Sequence, residues 1–285
     1  MKKKIIFLGT SFLGAIKLGW DSLNVADFDA TFVGFSGPVL IGHMASGVSV
    51  VNRSLVVDPS CFCFVSGVGF DDAKHSGNVT FPTSCKQDGL ILDLAAFDRV
   101  VFVDMFYRLH PKVIIDGAGV YVEGTPVSRP MLSDLRIHGF LGWCTLSNHP
   151  TYGNVLFQRS LPLLLKVVDA VQGNRSFLVS APRPPQGEVD AVAVYGSTDK
   201  ARSSLSFIEN VYTSTLNAVG ISYVSQPPDV FDAEGCFTDK RFSRGLIPAK
   251  PGIPDAHMNK AYGEIISCCI LNLLRNDEQA DSDVC

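Results

Sequence analysis

Apolar residues fall along this chain in short runs that alternate with stretches of helical spacing. The first run, Lys4-Ile5-Ile6-Phe7-Leu8, has strand length and ends in Gly9-Thr10-Ser11. Over residues 12–23, Leu13, Ile16 and Trp20 recur on one helix face, which predicts a helix. Phe28–Phe35 reads as a second strand closed by the turn residues Gly34-Phe35-Ser36-Gly37-Pro38. Residues 98–105 form the third strand pattern, ending at Asp104. The fourth covers 176–181 and stops at Pro182-Arg183-Pro184-Pro185, and Ile221–Val224 is the fifth. Helical spacing returns over 156–171, over 205–218 with Gly220 suited to a C-terminal cap, and from Met258 or Asn259 to about Leu274. Tyr262, Ile265, Ile266, Cys269 and Leu273 form the apolar face of that last helix.

The segment 39–97 has another texture. The alternations Val48-Ser49-Val50-Val51 and Ser54-Leu55-Val56-Val57 are separated by turn signals such as Asp58-Pro59, Gly67 and Asp88-Gly89. They predict short strands or hairpins, a β-rich insertion beside the sheet that is a candidate cap over the site. Residues 112–127 read as a small hairpin, Ser133 as the cap of a short helix, and the acidic stretch 276–285 as a disordered tail. The organisation is therefore one α/β domain over 1–275, with a mainly parallel sheet, three layers and right-handed crossovers. Its site belongs at the carboxyl ends of the strands, at Ser11, residues 34–37, Asp104, Ala181 and Gln226.

Composition narrows the function. With 285 residues, 46% of them hydrophobic, there is ample material for a core. A net charge of -4 without a basic stripe excludes a nucleic-acid surface. No stretch approaches the roughly 18 apolar residues of a membrane span. Lys2-Lys3-Lys4 before an apolar run imitates a leader, but Gly9-Thr10-Ser11, Gly14 and Lys17 interrupt it, and the expectation is a cytoplasmic protein. The eight cysteines form no CxxC and no zinc spacing with histidine, so free thiols are expected, with Cys268-Cys269 in the core. No metal and no cofactor is implied.

A serine at the carboxyl end of a first strand, beside the free N–H groups of a helix start, is where an α/β protein places a nucleophile or a phosphate. A nucleophilic serine needs a base and a group to orient it. His257, just before the last helix, is the best placed of the six histidines, and Asp255 lies two residues earlier. This order of motifs resembles the SGNH/GDSL hydrolase superfamily. That family carries Gly-x-Ser after the first strand, a glycine after the second, an asparagine after the third and Asp-x-x-His near the end. Gly9-Thr10-Ser11 matches the first block, Gly34 or Gly37 the second, and Asp255-Ala256-His257 approximates the last. More narrowly, Gly-Thr-Ser-Phe-Leu-Gly-Ala-Ile-Lys-Leu-Gly-Trp and His-Met-Asn-Lys-Ala-Tyr-Gly are similar to a bacterial SGNH-like group, as are Gln226-Pro227 and Phe237-Thr238.

The resemblance implies a three-layer flavodoxin-like fold and a serine esterase or deacetylase acting on an acylated carbohydrate or small molecule. Ser11 is then the nucleophile, His257 the base and Asp255 its orienter, with an oxyanion hole on the amides of Ser11 and Gly34 or Gly37. O-acyl transfer to a glycan and a non-catalytic binding protein are the alternatives. Three departures stand out. Asp104 occupies the asparagine position, where a carboxylate repels an oxyanion unless protonated or turned away. The Asp-His spacing is one residue short, and Phe12 replaces the frequent histidine after the serine. Spacing alone leaves other roles open. Ser11 and Asp255 suit helix caps, and His257 suits a helix start. His149, in a polar loop, is a candidate substrate contact or a surface residue. Arg183 is a candidate anion holder or half of a salt bridge. A degraded dinucleotide loop at residues 9–14 is the rival reading, but serine replaces the glycine that would let backbone approach a pyrophosphate.

Overall fold

The computed structural model describes residues 2–10, 12–35, 47–58, 62–66, 89–105, 113–115, 120–122, 125–127, 161–172, 175–183, 197–244 and 257–282. Its strands are β1 (Lys3–Gly9), β2 (Phe28–Phe35), β3 (Val48–Val51), β4 (Ser54–Val57), β5 (Phe62–Ser66), β6 (Leu90–Asp93), β7 (Arg99–Val103), β8 (Val113–Ile115), β9 (Val120–Val122), β10 (Thr125–Val127), β11 (Ser176–Val179) and β12 (Ile221–Val224). Its helices are α1 (Leu13–Ser22), α2 (Leu161–Ala170), α3 (Thr198–Asn217) and α4 (Lys260–Ser282).

The main sheet has the order β12-β11-β7-β1-β2-β5. Its first five strands pair in parallel, and β5 adds an antiparallel edge beside β2. Counting the parallel strands in chain order, this is the 2-1-3-4-5 arrangement of the flavodoxin-like doubly wound fold, as the sequence predicts. The near-continuous apolar runs have a simple cause: β1, β7 and β11 are covered on both faces. Alternate residues divide between two cores. Ile6, Leu8, Phe102 and Leu178 face α2 and α3. Ile5, Phe7, Val101, Val103, Phe177 and Val179 face α1 and α4.

The insertion divides. β5 joins the main sheet, whereas β3, β4 and β6 form a separate antiparallel sheet packed on the α2 side through Val48, Leu55, Val57 and Leu90. Arg53, at the β3–β4 turn, donates to Ala170 O at the carboxyl end of α2. That ties the hairpin tip to the amino edge of the sheet, away from the edge where the site is expected. The rest of the insertion lies outside the described residues, as does Ser133. In place of the expected hairpin over 112–127, β8, β9 and β10 make three short antiparallel strands.

α4 departs most from expectation. It continues through Asp277 to Ser282, where acidic composition predicts disorder. Asp277 is buried between Arg99 (3.3 Å) and Arg175, so ion pairing holds this stretch against the domain. Cys268 is exposed and Cys269 half-buried, because the helix buries Tyr262, Ile266, Ile270, Leu271 and Leu274 instead. The free thiol of Cys236 is buried.

α1 and α4 cross unusually closely. A Cβ on Gly263 would lie 1.8 Å from Ala15 O, and one on Gly19 would lie 2.1 Å from Gly263 C. Ser267 Oγ donates across the same contact to Ile16 O (3.0 Å). This crossing brings the first helix, which follows Ser11, against the last, which follows His257.

Candidate active site

The carboxyl edge of the sheet is assembled from strand ends far apart in sequence. At the end of β1, Thr10 is fully buried, and its N–H donates to Val103 O of β7 (3.4 Å). Its hydroxyl donates to the Asp104 carboxylate. Gly9 is required here, since a Cβ would meet Val103 O at 2.7 Å.

His257 is half-buried and stitched to the segment before it. Its carbonyl accepts from Arg244 N (3.0 Å), and Ser243 and Met258 form an isolated bridge. Asn259 Nδ2 donates to Arg241 O (2.7 Å) and Ser243 O (3.3 Å), while its Oδ1 caps α4 by accepting from Tyr262 N (3.1 Å). The His257 ring then sits beside the ring of Phe12, with centroids 6.0 Å apart and planes at 46°.

The motif His257-Met258-Asn259-Lys260-Ala261-Tyr262-Gly263 thus acquires a physical meaning. Met258 fills the core, Asn259 caps the helix, and Gly263 permits the crossing with α1. Tyr262 is buried, and its hydroxyl accepts from Gln226 Nε2 (3.0 Å). Burial holds that phenol neutral by raising its pKa far above the ordinary value. Gln226, which the sequence marks as a strand end and as part of the Gln226-Pro227 similarity, is the hub of a buried network. Its Oε1 accepts from Arg183 N (2.8 Å), its Nε2 also reaches Thr238 Oγ1 (3.3 Å), and Thr238 Oγ1 donates to Arg183 O (2.6 Å). The sequence marks Asp104, Arg183, Gln226 and Thr238 one by one, but not that Thr10 pairs with Asp104 or that the others share a network, because both depend on tertiary register.

Of the other candidates, Gly34 is described within β2, paired with Gly9 on one side and Phe64 on the other, next to a bulge. It belongs to the ladder, so Gly37 is the glycine beyond the strand end. Ser11, Gly37, His149 and Asp255 lie outside the described residues. Asp104 is buried at the end of β7 and engaged by Thr10. Arg183 is buried rather than facing a cleft. It donates to Glu209 (3.0 Å), Gly235 O (3.1 Å) and Cys236 O (3.2 Å), and stacks 4.3 Å over the Phe231 ring. Arg183 thus makes the salt bridge that the sequence held open as one of its two roles.

Glu209 is mostly buried against this guanidinium. Desolvation pushes its carboxyl pKa up, outweighing the lowering by Arg183. The folded state then holds the proton more tightly than the unfolded one. Its contribution to stability is complete below the unfolded carboxylate value, about 4.3, and is lost as pH rises through the folded value. Glu209→Gln, which keeps an acceptor for Arg183, is expected to flatten the change in Tm between mildly acidic and neutral pH. Identical slopes in thermal melts of the two proteins would contradict this.

Among the described residues, no cluster of His, Cys, Asp and Glu has the geometry to hold a metal ion. No helix among them is long and apolar enough to cross a membrane.

No protein-family model matches this chain, and no curated protein sequence does. Solved structures with a similar chain course include an extracellular lipase from Streptomyces rimosus, at 8% identity and TM-score 0.42, covering 95% of this chain and 98% of that one. Another is phospholipase A1 from Streptomyces albidoflavus, at 12% identity and TM-score 0.41, covering 95% and 99%. A third is the periplasmic domain of a lipopolysaccharide acetyltransferase from Salmonella ser. Paratyphi A, at 12% identity and TM-score 0.39, covering 96% and 84%. The fold assignment rests on the strand order described above.

Proposed function

We propose that this chain is a serine acyl-ester hydrolase of SGNH type, with Ser11 as nucleophile and His257 as general base. The observation that carries the reading is the contact between the rings of Phe12 and His257. It joins the two sequence motifs, one at each end of the chain, at the carboxyl edge of a doubly wound sheet. In this reading His257 takes the proton from the Ser11 hydroxyl as its oxygen attacks the ester carbonyl. The amide of Ser11 and one from the segment after β2, where Gly37 lies, hold the oxyanion. Water then releases the acyl group from the enzyme. The proposed substrate is an acylated carbohydrate or small molecule, and an acceptor hydroxyl in place of water would make the protein an acyltransferase. Asp255 remains the proposed orienter of His257. The proposed compartment is the reducing cytoplasm, which suits the free thiol of Cys236.

A fluorophosphonate probe tests this directly. Labelling is expected at Ser11 and nowhere else. Ser11→Ala is expected to remove it, and to reduce turnover of an acetyl ester about 10⁴-fold or more while the circular dichroism stays unchanged. A folded wild-type protein that takes no label would instead be a binding protein using the same cleft.

A further inference from the structure

The end of β7 has an unusual backbone. Asp104 and Met105 both adopt left-handed conformations, with φ of +64° and +39°. Asp tolerates that region. Met rarely does, and such a conformation persists only where the surrounding structure enforces it. Here the enforcement is visible. Asp104 N donates to Val179 O of β11 (3.0 Å), and Met105 N folds back onto Val103 O (2.8 Å). The turn brings the Asp104 carboxylate to the Thr10 hydroxyl. Thr10 is consequently held on three sides. Its N–H is bonded to Val103 O, its hydroxyl to Asp104, and its carbonyl accepts from Leu13 N (3.0 Å) in the first turn of α1.

We infer that Thr10 and Asp104 form a positioning pair that fixes the peptide immediately before Ser11. The inference rests on the reading of Ser11 as the nucleophile. It gives Asp104 a different task from the one its place in the fold suggests. The carboxylate is committed to locking β1 against β7, and it serves as acceptor for a hydroxyl rather than as donor to an oxyanion. A buried side-chain hydrogen bond of this kind has a fixed direction. A lock of this kind matters because a misplacement of about 1 Å at a reacting atom can cost about 10²-fold in rate.

Thr10→Val removes only the hydroxyl and keeps the shape. It is expected to lower kcat and the rate of fluorophosphonate labelling about 10²-fold, with KM within about twofold of wild type. Thr10→Ser restores the donor and is expected to recover most of the rate. Asp104→Asn keeps an acceptor for Thr10 and is expected to retain activity within about tenfold. The double variant Thr10→Val, Asp104→Asn should be no slower than Thr10→Val alone, since the two residues act as one unit. Labelling of Thr10→Val at the wild-type rate would overturn the inference. So would a Thr10→Ser variant as slow as Thr10→Val while Tm is unchanged. Absence of labelling in the wild-type protein would instead remove the nucleophile reading on which the inference stands.

Discussion

Gly263→Ala is expected to lower Tm by at least about 6 °C. The new methyl would meet Ala15 O at 1.8 Å, with the next backbone atom at 2.5 Å. Neither obstacle is the end of a flexible side chain, so relief requires α1 and α4 to move apart. Overpacking typically costs about 1–3 kcal/mol, and this backbone clash belongs at or above the top of that range. For a domain of this size each kcal/mol moves Tm by roughly 2–4 °C. Gly14 in α1 is the control, because a Cβ there meets nothing within 4 Å. Gly14→Ala should therefore gain up to about 1 kcal/mol from helix propensity. Thermal melts that move both variants in the same direction would refute the close crossing. If the proposed esterase activity is present, the Gly263 variant should also lose it at temperatures where it remains folded, because the same crossing brings Phe12 and His257 together.

The second large effect concerns catalysis. His257→Ala is expected to reduce kcat for an acetyl ester about 10⁴-fold or more, comparable with the loss on removing the serine itself. The side chain is half-buried in a short segment outside the helices, and the hydrogen bond to Arg244 uses only its main chain. Truncation therefore leaves the main-chain bond to Arg244 intact, and the circular dichroism should stay unchanged. Combining His257→Ala with Ser11→Ala should cost scarcely more than either alone, since the two act as a unit. A His257→Ala protein that turns over substrate at the wild-type rate would remove the imidazole from the mechanism. Ser11 would then need another base.

Much of this fold was legible along the chain. Phe28–Phe35 and Ile221–Val224 read as strands at the bounds they have. Buried parallel strands are continuous apolar runs, and that signal survives without any tertiary information. α1 was equally plain from Leu13, Ile16 and Trp20. The end of α4 was not, because its Asp277 is held by partners far away in the chain. Arg99 and Arg175 hold Asp277, and no local pattern announces such a pair. The apolar face expected of α4 was displaced for a related reason. Gly263 lets that helix approach α1 so closely that Ile270 and Leu274 are buried while Leu273 and Cys268 remain outside.

The candidate site divides in the same way. Glycine and serine after the first strand and histidine before the last helix are local features, and from them alone the sequence leads one to expect Ser11 and His257 at one edge of one sheet. Only the folded chain decided the partners of the other strand-end residues. It turned Asp104 into the partner of Thr10, sent Arg183 into a buried ion pair with Glu209, and made Gln226 a junction linking Arg183, Thr238 and Tyr262. The physical reason is range. Periodicity and turn chemistry act over a few residues and are written in the order of the chain. A buried hydrogen bond depends on strand register and helix crossing, and these exist only once the whole sheet has closed.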